Sequence, residues 1–486
     1  MQPGPSHRPI TAEPPAPPED PTPGPAGRGG LFALLGTVQV TLIFTITLIG
    51  IPLPAIGAEL GLDGSELVVT SAAYGLAFSG LLLFGGRLAD RYGGRPVFVS
   101  GLVIFAAASA IAPAAVGFGT LATSRFCAGI GAALVAPAAM VLLRALFPEP
   151  AEYSRAMATW GGLSVLGGIA GIVLSGAVAA VVSWRWMFTV PVLVAGLALL
   201  LARRLPSTGR PCRRVGLDTA GAVLATCGLT LLSVGLVMSG NHAWSSVLVG
   251  APIGCGLALL VAFGAVQARG RDPLLPPAFL TDRRRAAALV IIGLSAAATA
   301  AVCLFLALYL QQVRGWSPAA TSMAFVPYAL ALIATGRVAG RLVERLGAAS
   351  TVVAGLAVTA CGLFLLARLD PHAPYVTGLL PGLLALPVGI ALTLAAATVL
   401  AVADVPAPRM GLAAGTMNTA LELGPTVGLA LLSALASART RHAAATSGRP
   451  GATTDGYAWA FGASGLAVAL VAVLVIAGRA AGRAQR

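Results

Sequence analysis

The sequence predicts an all-α integral membrane protein with fourteen spans, arranged as two six-helix halves plus two extra central transmembrane helices. Of its 486 residues, 57% are hydrophobic and only 10% are charged, whereas a soluble domain carries about 25% charged residues. Fourteen apolar runs are long enough to span a bilayer, which takes about 20 residues per helix. An eight-residue motif also occurs once in each half of the chain. Lipid, unlike water, accepts apolar side chains on the outside of a fold, so this composition indicates a membrane protein.

The chain begins with a segment that is too polar to fold by itself. Residues 1–30 contain ten Pro and few large apolar side chains, too little apolar surface to offset the entropy lost on ordering. The predicted organisation is a disordered Pro-rich cytoplasmic tail (1–30), an N-terminal six-span half (31–202), two linker transmembrane helices (216–268), a C-terminal six-span half (286–478) and a cytoplasmic tail (479–486). The predicted spans are 31–56, 66–88, 96–117, 119–143, 155–181, 185–202, 216–238, 246–268, 286–311, 319–339, 349–368, 375–402, 408–436 and 457–478.

The placement of arginine supports this number of spans. All 31 basic residues are Arg, against 17 acidic residues. With the amino terminus in the cytoplasm, 24 of the 31 fall in cytoplasmic segments, as the positive-inside rule requires. We therefore expect a multi-pass protein of the cell membrane with both termini in the cytoplasm. The net charge of +14 then reflects topology, and no nucleic-acid partner is expected.

Missing residue types exclude several chemistries. Without Lys, the chain has neither a Walker-type phosphate loop nor an amine for a Schiff base. Five of the six Cys lie in apolar runs and the four His are scattered, so we predict no metal site. The loops hold no cluster of nucleophile, base and orienting residue. We therefore expect a protein that is not an enzyme, needs no cofactor and draws its energy from an ion gradient.

The repeated motif indicates an internal duplication. Gly86–Gly93 (GRLADRYG) and Gly340–Gly347 (GRLVERLG) are identical at five of eight positions, and Glu344 replaces Asp90 at a sixth. Each copy follows the second span of its half. Two homologous halves with a cavity at their interface are an arrangement suited to alternating access.

Five segments, in the expected order, resemble the major facilitator superfamily and specifically its fourteen-span drug:proton antiporter branch. They are Gly86–Arg95, Leu121–Gly131, Ser183–Phe188, Leu308–Pro318 and Gly411–Asn418. Two positions depart from the pattern of that branch. Thr45 stands where an acidic residue is common, and Gly171–Gly176 lacks the Pro of the antiporter signature. We therefore expect no proton-carrying group at position 45.

The motif and its repeat are predicted to act as a gate. Asp90 and Arg91, in a loop bounded by Gly, can make charge-assisted bonds to neighbouring helix ends. Such bonds would hold one conformation, and their rupture would permit the other. The alternative is a solvated loop that only sets topology. The predicted gating residues are Gly86, Asp90, Arg91, Gly93, Arg95, Gly340, Arg341, Glu344 and Arg345.

Two charges lie inside predicted spans. A charge at mid-membrane costs roughly 2.5–3.5 kcal/mol on insertion scales, so such residues usually face a cavity or a partner. Glu422 can titrate, whereas Arg125 cannot release its proton. We predict that Glu422 carries the proton or binds a cationic substrate, and that Arg125 is a cavity charge that tunes it. The alternative for Glu422 is a hydrogen bond between helices.

The remaining candidates would line a substrate cavity that is apolar with a few aromatic and polar groups. These side chains can equally serve helix packing or interface anchoring. The candidates are Phe44, Thr45, Tyr74, Tyr309, Tyr328 and Asn418.

The resemblance implies a secondary active transporter that exports amphipathic drugs, antibiotics or secondary metabolites in exchange for protons. Two alternatives stay open: an exporter or importer of one metabolite with different coupling, and a transporter-like sensor without flux. The expected partners are the lipid bilayer, a small amphipathic substrate and protons. We expect the protein to function as a monomer.

Overall fold

A computed structural model describes residues 25–179, 181–206, 218–239, 242–270, 273, 281–403, 405, 410–447 and 449–484. The described residues are almost entirely helical and contain no strand. Thirteen of their helical segments are long and apolar enough to cross a membrane. The 30-residue helix Pro150–Ala179 occupies the predicted fifth span. Together these helices match the fourteen predicted spans.

The helices follow the predicted order. The N-terminal half contains α1 (Pro25–Thr47), α2 (Leu53–Leu60), α3 (Gly64–Tyr92), α4 (Gly94–Ile111), α5 (Phe118–Leu146), α6 (Pro150–Ala179) and α7 (Thr189–Leu201). The central pair is α8 (Thr219–Met238) and α9 (Val247–Arg269). The C-terminal half contains α10 (Arg283–Leu308), α11 (Pro318–Ala324), α12 (Val326–Leu346), α13 (Ala348–Leu366), α14 (Leu380–Val402), α15 (Met410–Ser447) and α16 (Arg449–Ala484). Short 3₁₀ turns cover Ala112–Ala114, Trp184–Phe188 and Ala202–Arg204, and π-helical turns cover Tyr309–Val313 and Tyr375–Leu379.

Both predicted tails are partly helical. The amino-terminal tail was predicted to reach residue 30, but α1 begins at Pro25, a residue suited to a first helical turn because its missing N–H would be unpaired there. Arg28 in this turn pairs with Glu152 of α6 at 3.2 Å. Residues 1–24 lie outside the described part of the chain. At the other end, α16 continues to Ala484, beyond the predicted boundary at 478.

The first predicted span is broken. α1 ends at Thr47 and α2 begins at Leu53, instead of one helix over 31–56. Pro52 precedes α2 directly and Pro54 lies in its first turn. Because a proline has no N–H and clashes with the preceding turn, one helix cannot continue through this pair.

The duplication is visible in the backbone. α3 and α4 are joined by Gly93 alone (φ +93°, ψ 151°), and α12 and α13 by Gly347 alone (φ +80°, ψ 147°). These positive φ values favour Gly. At the other end of α3 the side chain of Asp63 caps the helix, and Ser317 caps α11 in the same way. Gly347 stands 254 positions after Gly93, and Ser317 stands 254 positions after Asp63.

We name the two sides of the helix bundle from these residues. The side of Gly93 and Gly347 is the motif side, and the side of Asp63 and Ser317 is the opposite side. The part of the C-terminal half that corresponds to α3 consists of two helices, α11 and α12. The chain breaks between them at Phe325, and Pro327 lies in the first turn of α12.

The two halves share a core on the opposite side. One apolar cluster contains N-terminal-half residues such as Ile51 and Phe188 together with C-terminal-half residues such as Phe305. All its members from the N-terminal half come from segments 44–67, 112–121 and 184–188, which lie towards the opposite side. A second cluster runs from Leu31 to Leu205 and contains N-terminal-half residues alone. The described cores therefore join the halves on the opposite side and leave them separate towards the motif side.

Contacts between particular helices agree with this arrangement. Gly176 of α6 packs on Pro318 and Ser322 of α11. Gln311 donates a hydrogen bond to the Ile51 carbonyl over 2.8 Å. α8 packs against both α3 and α15, whereas α9 packs mainly on α8.

Candidate functional site

A cavity of about 120 Å³ lies between the two halves. The N-terminal half contributes residues of α1, of α3 and of the break that follows α1, and the C-terminal half contributes residues of α10, α15 and the break after α11. The lining residues are Ile46, Thr47, Gly50, Ile51, Ser71, Ala72, Gly75, Ala300, Cys303, Leu304, Phe325, Pro425 and Leu429. Each half thus forms one wall.

The cavity is apolar and carries no charge among its described lining residues. Its polar groups are the hydroxyls of Thr47 and Ser71 and the thiol of Cys303. The Thr47 hydroxyl is already bonded, at 3.2 Å from the Gly168 carbonyl of α6. Ser71 makes no hydrogen bond to another described residue, so its hydroxyl can pair with a bound molecule. A mostly apolar wall with a few polar groups suits a small amphipathic ligand.

Two predicted candidates, Asn418 and Glu422, belong to α15, which forms part of the cavity wall. Pro425 and Leu429 line the cavity, and positions 418 and 422 precede them at helical spacing on the same face. Asn418 is half-buried. The side chain of Glu422 lies outside the described part of the structure. Positions 418 and 422 lie closer to the motif side than Pro425 and Leu429 do.

Arg125 is buried among helices of the N-terminal half. Its side chain on α5 is 1% exposed. Nε donates to the Thr70 carbonyl over 2.9 Å, and one terminal nitrogen reaches the Thr45 carbonyl at 3.4 Å. The guanidinium also lies 5.8 Å from the centroid of the Tyr74 ring.

The end of α1 explains how a cation can be buried there. Thr45 lies in the last turn of α1, where carbonyl groups lack helical N–H partners and the helix dipole is negative. Arg125 therefore caps α1. Its second terminal nitrogen has no hydrogen-bond partner among the described residues.

Arg125 was predicted to be a cavity charge, and that role stays a prediction. Arg125 is enclosed by α1, α3 and α5 and is not among the residues that line the cavity. The repeat adds a contrast. Thr299 and Tyr328 stand 254 positions after Thr45 and Tyr74. In the fourth span of each half the offset is larger, because Gly131 packs on Gly101 and Phe105 as Gly389 packs on Gly355 and Thr359. Leu383 therefore corresponds to Arg125, and only one of these two positions carries a buried cation.

None of the six predicted cavity residues lines the described cavity. Phe44, Thr45, Tyr74, Tyr309 and Tyr328 are buried in helix packing. The hydroxyl of Tyr74 donates to the Leu42 carbonyl at 3.2 Å, and that of Tyr309 donates to the Asp370 carbonyl at 2.6 Å. The lining residues include Thr47, Ser71 and Phe325, none of which was among the predicted cavity residues. Their small or apolar side chains gave no signal, and Thr47, two residues beyond Thr45, points to a different face of α1.

The predicted gating loop is largely helix. α3 runs to Tyr92, so only Gly93 connects it to α4, where Arg95 lies in the first turn. Arg91 places its guanidinium 5.6 Å from the centroid of the Tyr92 ring. Asp90 is exposed and makes no hydrogen bond or ion pair to another described residue. The repeat on α12 is also exposed at Gly340, Arg341, Glu344 and Arg345.

Among the described residues, Asp90 therefore makes no bond to a helix end. The described cores are likewise separate towards the motif side.

Comparison with known proteins agrees with the fold and the repeat. The family model described as Major Facilitator Superfamily matches residues 33–429 and 288–485. The puromycin resistance protein pur8 of Streptomyces alboniger is 36% identical over 89% of this chain and 87% of its own length. The cephamycin export protein CmcT of Amycolatopsis lactamdurans is 35% identical over 92% of this chain and 91% of its own.

Solved structures share the fold at low identity. A bacterial homologue of the human lysosomal transporter Spinster, in an inward-facing conformation, superposes with a TM-score of 0.64 at 16% identity and covers 94% of this chain and 96% of its own. An auto-inhibited POT family peptide transporter gives a TM-score of 0.65 at 17% identity, over 92% and 97% of the two chains. With fourteen spans, a duplicated motif and relatives matched over nearly their full length, the chain belongs to the major facilitator superfamily.

Proposed function

We propose that this protein exports amphipathic drugs, antibiotics or secondary metabolites by alternating access, in exchange for protons that enter the cell. The observation that carries the proposal is the apolar cavity between the halves. One side of it is closed by contacts such as Gln311 with Ile51, while the described cores remain separate towards the other. A cavity with walls from both halves can change its accessible side when the halves rock against each other.

The names of the relatives support the class of substrate. Two of the proteins similar to this chain are named for puromycin resistance and for cephamycin export, and a third, from Streptomyces coelicolor, is named a probable actinorhodin transporter. These are chemically unlike molecules. An apolar cavity that binds without a fixed set of charged partners is compatible with such variety.

We assign the motif side to the cytoplasm. Arg87, Arg91, Arg95, Arg337, Arg341 and Arg345 lie at the motif-side ends of α3, α4 and α12, and cytoplasmic ends are rich in Arg. In this orientation both termini are cytoplasmic, and the cavity is closed towards the outside of the cell. The protein acts as a monomer in the cell membrane.

Glu422 is the proposed proton carrier. It shares a face of α15 with the cavity residues Pro425 and Leu429, and a carboxyl group in a membrane span can bind and release a proton as its surroundings change. Position 45, where the related branch often has an acid, is Thr. The energy source is then the proton gradient, with no bound cofactor.

A vesicle assay tests the proposal. Inside-out vesicles that contain the full-length protein should accumulate puromycin or an amphipathic dye when a proton gradient is imposed, and lose this uptake when the gradient is dissipated. Glu422→Gln should abolish gradient-driven uptake but retain exchange of one substrate molecule for another. Glu149→Gln, at an exposed carboxylate beyond the end of α5, is the matched control and should transport normally.

The two alternatives give different results in the same assay. A transporter of one metabolite would show saturable flux of a single compound and no response to the dye panel. A sensor would bind ligands and show no flux with any gradient. Normal coupling in Glu422→Gln would leave export intact and place the proton elsewhere.

A further inference from the structure

We infer that a groove on the outer surface of the C-terminal half binds an anionic phospholipid, with one acyl chain between α13 and α16 and the phosphate at Arg368. This groove is separate from the transport cavity, since the two share no lining residue.

The groove is an open cavity of about 460 Å³. Its floor is made by the small side chains of Ala357, Ala360, Ala469 and Ala472, so that the two helices leave a channel where larger residues would fill the space. Phe364 forms part of the wall and is 43% exposed. In a membrane-spanning bundle, an apolar surface of this kind faces lipid chains.

The length of the groove matches one leaflet. Ala357 and Arg368 are eleven residues apart along α13 and the turn after it, which at 1.5 Å per residue is about 16 Å. Half of a hydrocarbon core about 30 Å thick is about 15 Å. The groove therefore extends from the middle of the bilayer to its surface on the opposite side.

The position of Trp459 on α16 indicates the same depth in the membrane for this end of the groove. Trp459 lies ten residues before Ala469 and is 58% exposed, as expected for an aromatic residue at the membrane interface. Arg368 is thus at headgroup height at one end of the groove, and Trp459 marks the same height on the neighbouring helix.

The charge at this end indicates an anionic headgroup. Arg368 is exposed and its guanidinium has no hydrogen bond or ion pair with another described residue. The nearby Asp370 carboxylate instead accepts the backbone N–H of His372 at 2.8 Å. Arg binds phosphate through paired N–H groups in a planar arrangement. An apolar groove of one-leaflet length that ends in an unpaired guanidinium has the chemistry of a phospholipid site.

Native mass spectrometry of the full-length protein tests this inference. In detergent micelles with equal amounts of phosphatidylglycerol and phosphatidylcholine of the same chains, the protein should retain phosphatidylglycerol preferentially. Arg368→Ala should reduce this retention about tenfold, the loss expected for one hydrogen-bonded contact with a charged group. Arg368→Lys should restore part of it, because the positive charge is kept.

A second variant tests the groove itself. Ala469→Phe should fill the channel and reduce retention of both lipids, whereas Arg203→Ala, at an exposed Arg on the motif side, should change neither. Equal retention of the two lipids by the unaltered protein would overturn the inference. So would unchanged retention in both Arg368→Ala and Ala469→Phe, or complete displacement of the lipid by inorganic phosphate, which would indicate a site for the anion alone.

Discussion

Gln311 and Ile51 form a hydrogen bond across the boundary between the two halves, with Nε2 of Gln311 2.8 Å from the Ile51 carbonyl oxygen. Both residues lie where regular helix is interrupted. Gln311 belongs to the π-helical turn Tyr309–Val313, and Ile51 lies in the break between α1 and α2. A carbonyl in such a break lacks a helical partner, and π-helical turns are frequent at functional sites. Closure of the opposite side therefore uses a main-chain carbonyl that a regular helix would have paired internally.

Gln311→Ala should weaken this closure. One hydrogen bond contributes about 1 kcal/mol net, which is roughly a fivefold change in the ratio of open to closed molecules. In a variant that retains Cys303 as its single cysteine, we expect an impermeant maleimide added on the opposite side to label this cavity residue about fivefold faster. Gln312→Ala, at the exposed neighbour, is the control. Equal labelling rates in the two variants would show that the bond does not hold the side closed.

Arg125→Leu should fold but transport poorly. Burying a charge costs free energy that an apolar side chain does not, and Leu383 already occupies the equivalent position of the other half. We therefore expect a melting temperature no lower than that of the unaltered protein, together with at least tenfold slower proton-driven uptake. Arg125→Lys, which keeps the charge, should recover part of the rate. If Arg125→Leu transports normally, the cation serves only to cap α1.

Gly347→Ala and Gly340→Ala should have opposite effects on stability. A Cβ at either position would meet no atom within 4 Å, so packing does not distinguish them. Gly347 has φ +80° and ψ 147°, a sparsely populated conformation that costs an L-residue on the order of 1–3 kcal/mol. Gly340 lies inside α12, where Ala is favoured over Gly by about 0.5–1 kcal/mol. Unfolding of the detergent-solubilised protein by heat should show a lower midpoint for Gly347→Ala and a higher one for Gly340→Ala; a shift of the same sign in both would refute the argument.

The cluster around Glu59 should become weaker in acid. Trp184 Nε1 donates to Glu59 over 2.6 Å, and Arg185 pairs with the same carboxylate at 2.9 Å. The hydrogen bond from Trp184, and then that from Arg185, hold the pKa of the Glu59 carboxyl below its ordinary value. A group whose pKa is lowered on folding stabilises the folded state above its ordinary pKa of about 4.3 and loses this contribution as the pH falls further.

The measurement is the melting temperature as a function of pH. Glu59→Gln should reduce stability at pH 7 and show a smaller loss below about pH 4 than the unaltered protein. Glu149→Gln should follow the unaltered protein throughout. Identical pH profiles for Glu59→Gln and the unaltered protein would contradict the assignment. The effect is expected to be small, because the ion pair is partly exposed to solvent.

The fold was largely predictable and the cavity was not. Long apolar runs and the repeated motif at Gly86 and Gly340 fix the number and order of spans, because a bilayer requires long helices whose backbone groups are paired internally. The rotation of each helix about its own axis, in contrast, could not be predicted from the sequence. Helices that are apolar on all sides show no face preference in the sequence, so Tyr74 and Tyr328 could not be assigned to packing, nor Ser71 to the cavity.

The environment of Arg125 could not be predicted from the sequence for another reason. Its partners are main-chain carbonyls of Thr45 and Thr70, which any residue type could supply. The sequence indicates a costly buried charge, but the group that offsets the cost is the end of α1 at Thr47, inside the stretch that was predicted to be one span.

The position of α8 limits the path of a lipid-dissolved substrate. α8 covers the seam where α3 meets α15: Gly80 of α3 lies against Thr226, and Val237 packs with Val68 and Ala430. A molecule that moves sideways out of the bilayer towards the cavity is blocked along this seam. The other seam, between α6 and the pair α11 and α12, has no such cover among the described helices. Among the described helices, the two extra spans therefore cover only one of the two seams, so that the two sides of a pseudo-symmetric protein differ.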